Sequence, residues 1–152
     1  MKERQETAVR KFLEGYNCAQ SVLYAFCDDL GFDPDTGLRL ATGFGAGMAR
    51  SQEVCGAVSG GLLVLGLKFG RGDHDDRSAT LTTYRHARGL MARFRERHGT
   101  TICRQLLPGC DLSTEDGYRF FLENDLFNRV CKECVKTVVE TLEDILAATA
   151  GP

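Results

Sequence analysis

Cysteine is the residue through which this sequence could do chemistry. Seven occur in 152 residues: Cys18, Cys27, Cys55, Cys103, Cys110, Cys131 and Cys134. An odd number cannot all pair within one chain. The thiolate, rather than the thiol, is the nucleophile and the metal ligand. Four of the seven fall near expected helix starts. In "NCAQ", Asn17 and Gln20 form a capping box that sets Cys18 on the first helical residue. Ser51, with Glu53 behind it, caps a helix that carries Cys55 about one turn in. Thr100 or Thr101 caps "ICRQLL", which puts Cys103 in an opening turn, and Asn128 caps the last long helix with Cys131 as its third residue.

A helix N-terminus favours negative charge by roughly 0.3–1 kcal/mol, and by up to about 2 kcal/mol when partly buried. That lowers a thiol pKa by about one unit from near 8.5, enough to raise reactivity but not to hold the sulfur fully ionised. Four thiolates brought together would repel one another. They must stay largely protonated, oxidise in pairs, or share a metal centre. The competing reading of any single cysteine is a small buried core residue.

Other residues carry weaker signals. Cys27 ends an apolar segment and reads as core. Cys110 follows Pro108-Gly109 in a loop near Cys103, where a secondary pair is conceivable. In "CKEC", Cys131 and Cys134 have redox-motif spacing without the βαβ context such motifs use, and Cys134 reads as a continuation of the apolar stripe. His74, His86 and His98 are too evenly dispersed for a zinc site. Gly43, Gly45 and Gly47 lack the strand and the Lys-Ser/Thr of a phosphate loop and predict a tight turn or close backbone approach before the Cys55 helix. Gly56 and Gly60 leave room for a neighbouring helix or a substrate against Cys55.

The elements that must position these thiols are helical. Apolar residues recur at helical spacing in Val9, Phe12, Leu13 and Tyr16, and again in Val22, Leu23 and Phe26. Two further stripes are Leu81, Tyr84, Ala87, Leu90, Met91 and Phe94, and Val135, Val138, Val139, Leu142, Ile145 and Leu146. Period-two alternation is missing. "LGFDPDTG" and "FGRGDHDD" read as loops. The fold class is therefore all-α, a multi-helix bundle, with residues 1–152 as one domain. The apolar run Val54 to Leu67 is closed by Lys68 and is too short to span a bilayer, so it predicts a buried core helix and no membrane insertion. A net charge of −2 gives no reason to invoke nucleic acid. The opening "MKERQETAVRKF" has no apolar core of secretory type, which predicts a cytoplasmic protein. Arg85, Arg88, Arg93, Arg95 and Arg97 face a single acid, Glu96, in "YRHARGLMARFRERH". That pattern reads as a solvated helix face, and alternatively as a docking surface for an acidic redox partner.

Together, "NCAQSVL", "GFGAGMARSQEVCGAVSGGLLVLGLKFG", "CRQLL" and the late cysteine in "FNRVCKECV" resemble the C_GCAxxG_C_C family of redox-active proteins. The resemblance runs from about Gly15 to the last helix. It implies a cytoplasmic bacterial redox protein whose functional set is Cys18, Cys55, Cys103 and Cys131, the same four as the helix-start argument selects. Under that expectation Cys18 and Cys55 are the more nucleophilic thiols, and Cys103 and Cys131 complete disulfides or ligation. Thiol–disulfide exchange by a thiol oxidoreductase needs no cofactor. Its rival is an electron carrier in which the same four cysteines hold a 2Fe–2S iron–sulfur cluster. A third reading is a non-enzymatic helical adaptor with structural cysteines. The electron donor, the substrate and any homo-oligomer stay open.

Overall fold

The computed structural model describes residues 2–150. Its helices are α1 (Lys2–Leu13), α2 (Cys18–Cys27), α3 (Pro34–Ala41), α4 (Gly56–Phe69), α5 (Arg77–His98), α6 (Cys103–Leu106), α7 (Glu115–Glu123) and α8 (Lys132–Thr149). The fold is all-α, as the periodicity predicts. The nearest approach to a sheet among the described residues is one isolated antiparallel bridge, Val54 to Ile102.

The central element is α4. From Gly56 to Leu65 it is apolar on nearly every side, the pattern of a buried helix, while Gly66 to Lys68 reach solvent, and it packs against α2, α5 and α8. Two adjacent glycines make this closeness feasible. A β-carbon at Gly60 would lie 2.7 Å from the Ala19 carbonyl oxygen of α2. One at Gly61 would lie 2.8 Å from both Leu90 on α5 and Val138 on α8. The core around them is built from Val22, Leu23, Phe26, Val58, Leu65, Phe94, Val135 and Leu142, all buried.

Two expectations from the sequence are corrected. "LGFDPDTG" is not wholly a loop, because Pro34–Ala41 is helical. Asp33 Oδ2 caps it by accepting the Thr36 N–H at 2.9 Å, and Pro34 stands at the first helical position, where no N–H is needed. The Asp and Pro that suggested a break are start signals. On α5, Leu81 and Tyr84 belong to the apolar stripe by spacing but are 55% and 57% exposed. A helix of 22 residues is ~33 Å long against ~21 Å for the 14 residues of α4. The first third of α5 therefore overhangs the bundle. Further along, Arg93 and Arg97 fasten α5 to α8. Arg93 pairs with Asp144 at 2.6 Å, and Arg97 reaches both oxygens of Glu140, at 2.8 and 3.0 Å.

Candidate thiol site

Cys18 is the first residue of α2, as the capping box predicts. Asn17 Oδ1 accepts the Gln20 N–H and Gln20 Oε1 accepts the Asn17 N–H, both at 2.9 Å. The same two side chains tie this corner to the end of α3. Asn17 Nδ2 donates to the Thr42 carbonyl, and Gln20 Nε2 to the Leu38 carbonyl and the Thr42 hydroxyl.

Cys55 and Cys103 are held side by side by backbone. The Cys55 N–H donates to the Thr101 carbonyl at 2.8 Å, and the Cys103 N–H to the Glu53 carbonyl at 2.7 Å, on either side of the Val54–Ile102 bridge. Ser51 does not cap α4. Cys55 itself occupies the N-cap, so its sulfur lies closer to the free N–H groups than the sequence suggested. Cys103 opens α6, a helix of four residues, behind Ile102. Thr100 supports the turn by accepting the Ile102 N–H.

The glycines before Cys55 build a turn of opposite hand. Ala46, Gly47, Met48, Ala49 and Arg50 have φ between 53° and 67°. Each L-residue in that conformation costs roughly 1–2 kcal/mol. Gly47 is forced: a β-carbon there would lie 2.6 Å from the Gln52 and Glu53 backbone and 2.8 Å from the Cys103 β-carbon. Gln52 closes the turn. Although a polar loop residue, it is 1% exposed, and its side chain donates to the Cys110 carbonyl and accepts the Leu112 N–H, both at 2.9 Å. Sequence periodicity gives no hint of this role.

Cys131 is not near a helix start. Phe127–Cys131 is a π-helical turn that runs directly into α8, with the Lys132 N–H bonded to the Phe127 carbonyl. Asn128, expected as its cap, instead donates to Asp125. Three residues on, Cys134 shares its cavity with Cys55, and its thiol lies 4.0 Å from His98 Nδ1. The sequence placed Cys134 in the apolar stripe and left His98 without a part. Cys27 is core, as expected, with its thiol on the Leu23 carbonyl. Cys110 packs beside Cys103 but spends its thiol on the Gly117 carbonyl.

Cys18, Cys55, Cys103, Cys131 and Cys134 all line one cavity of about 290 Å³. Much of the remaining wall is aromatic, from Phe12, Tyr16, Tyr118, Phe121 and Phe127, and Arg50 is the one charged side chain lining it among the described residues. Gly56 belongs to this wall because a β-carbon there would overlap Cys18 Sγ. Among the described residues, no three His, Cys, Asp or Glu side chains are grouped so as to hold a metal ion. As placed, the thiols do not fit a single ion.

The five thiols differ in electrostatics. Cys55 is pulled below the ordinary thiol range. The Cys134 thiol donates to it, and the N–H groups of Ala57 and Val58 at the start of α4 help, against the opposing effect of burial. Cys134 is pushed up, first because it is the donor in that bond and then by burial. Burial, followed by the charge of Cys55, raises Cys18 to about 11 and Cys103 to about 12. Burial also raises Cys131, with the charge of Cys18 next. Of the two thiols expected to be most nucleophilic, only Cys55 is favoured as thiolate.

Residues 16–145 match the family described as "Putative redox-active protein (C_GCAxxG_C_C)". The chain belongs to the C_GCAxxG_C_C family. The match spans the cavity cysteines and every helix except α1 and the end of α8. The family's name marks a redox-active protein. No curated protein and no solved structure matches this C_GCAxxG_C_C chain. No helix among its described residues is long and apolar enough to cross a membrane.

Proposed function

We propose that this protein is a thiol–disulfide oxidoreductase in which the Cys55 thiolate opens the exchange. Cys18, Cys103 and Cys131 stand around the same cavity as thiols that receive or pass on the oxidation. The observation that carries this reading is one cavity lined by five thiols, of which Cys55, at the N-cap of α4, is the one favoured toward ionisation. Exchange requires an ionised attacking sulfur, and neighbouring ionised sulfurs would oppose it. A cytoplasmic setting, where thiols are kept reduced, suits a site that must begin as free thiols. All seven cysteines are free in this structure.

The docking of an acidic partner on α5 has weaker support. Two of its five arginines, Arg93 and Arg97, are already engaged with Asp144 and Glu140.

The test is a thiol count before and after mild oxidation, on wild type and Cys55→Ser. Loss of two or four thiols in wild type, with much slower loss in the variant, supports exchange. An unchanged count overturns it. Stoichiometric iron and acid-labile sulfide in protein purified without oxygen would overturn it in favour of an electron-carrying cluster.

A further inference from the structure

We propose that Cys134, outside the four-cysteine family set, is the resolving thiol for Cys55, and that His98 receives its proton. This inference rests on the exchange reading and adds to it the second half of the reaction.

Cys55 and Cys134 line one cavity, and among the thiols lining it Cys134 is the one with an imidazole within reach of its sulfur. Cys134 is fixed in the first turn of α8, just past the π-helical segment, and is buried. On its other side stands His98, the last residue of α5, with Nδ1 4.0 Å from Sγ. The ring is held from two directions. Nε2 lies 2.8 Å from the Thr137 hydroxyl, and the ring face packs on Phe94 with centroids 4.5 Å apart. Thr137 follows Cys134 by three residues, so both point from one face of α8 toward the same imidazole. Assigning the proton to Nε2, donated to Thr137, leaves the Nδ1 lone pair directed at Cys134. Burial, then the charge of Arg97, keeps the ring below the usual histidine range and so neutral, able to accept a proton, with Glu133 a smaller opposing charge.

With a small-molecule disulfide RSSR as the oxidant, the steps balance. The Cys55 thiolate attacks one sulfur of RSSR, the S–S bond breaks, and one RS⁻ leaves. The product is a mixed disulfide between Cys55 and RS. Cys134 then gives its proton to His98 Nδ1, and its sulfur attacks the Cys55 sulfur. The mixed disulfide breaks and the second RS⁻ departs, taking the proton from His98. One protein thiolate and one thiol together lose two electrons, and RSSR is reduced to one thiolate, the first to leave, and one thiol.

The experiment adds one equivalent of dithiodipyridine to reduced full-length protein, then maps disulfides by digestion and mass spectrometry under non-reducing conditions. Cys55 joined to Cys134 is the expected dominant product. Cys134→Ala should instead leave a lasting pyridyl adduct on Cys55. His98→Gln should slow the second thione release by about a hundredfold while leaving the first unchanged, the size expected when a general base is lost. Cys55 joined to Cys18, Cys103 or Cys131 in wild type overturns the proposal but leaves exchange standing. No uptake of reagent at Cys55 removes both. An unaltered second release in His98→Gln overturns the role of the histidine.

Discussion

At the scale of single residues, sulfur position matters more than sulfur number. Cys55 differs from its neighbours because it alone sits where unbonded N–H groups and a donating thiol meet. At about pH 7, limiting iodoacetamide should therefore label the Cys55 peptide well before those of Cys18, Cys103 and Cys131. Equal labelling of all four would count against a distinct thiolate. The sequence made Cys18 legible because its determinants, Asn17 and Gln20, are within three residues of each other. Cys55 was legible as a site residue but shifted by part of a turn. Cys134, His98 and Gln52 were not legible in their roles. Each is defined by a partner far away in the chain: Cys134 and His98 are 36 residues apart, and Gln52 and Cys110 are 58 apart.

At the scale of elements, two local devices set the shape of the site. The left-handed turn before Cys55 contains exposed Ala49 at φ 56°, ψ 44°. Ala49→Gly removes the steric penalty at that position, and the greater freedom of glycine in the unfolded chain partly offsets the gain. The net expectation is a stabilisation of roughly 0.5–1 kcal/mol in a urea titration. The second device is the glycine contact between α4 and α2. In Gly60→Ala the new methyl meets Ala19 backbone at 2.7 Å, which cannot rotate away. A loss of about 1–3 kcal/mol is expected, together with changed accessibility of Cys18, measured by denaturation and by alkylation rate. Spacing alone revealed that small residues follow Cys55 for a reason. It could not reveal that one glycine faces α2 and the next faces α5 and α8, because helix rotation is set by the assembled bundle.

At the scale of the whole molecule, buried thiols make the reduced fold sensitive to alkali. Burial raises Cys18 and Cys27 to about 11 and Cys103 to about 12 in the fold, above an ordinary thiol. The unfolded chain gives up these protons first, so their contribution is complete below pH 9 and disappears as pH rises through 11 to 12. Cys55, shifted the other way, is the one cysteine that opposes this, against six whose thiols are raised. Urea midpoints for reduced protein should fall across that window, and less so in Cys18→Ser; parallel curves would contradict the assignment. The helical class was readable throughout because the 3.6-residue period is a local property. A shared site for Cys18, Cys55, Cys103 and Cys131 was expected from the resemblance, but the presence of Cys134 in their cavity was not, since it depends on how α2, α4, α6 and α8 converge. The π-helical turn at Phe127–Cys131 carries one more residue than an α-helical turn spanning the same axial rise. Phe127 packs tilted against Phe12, with centroids 4.3 Å apart, at the upstream end of that turn. Shortening it by one amino acid would swing Phe127 about 100° around the axis. Cys131 and Cys134 would keep their bearing while the aromatic wall opened, so an insertion or deletion here would alter which molecules reach the sulfurs without replacing any of them.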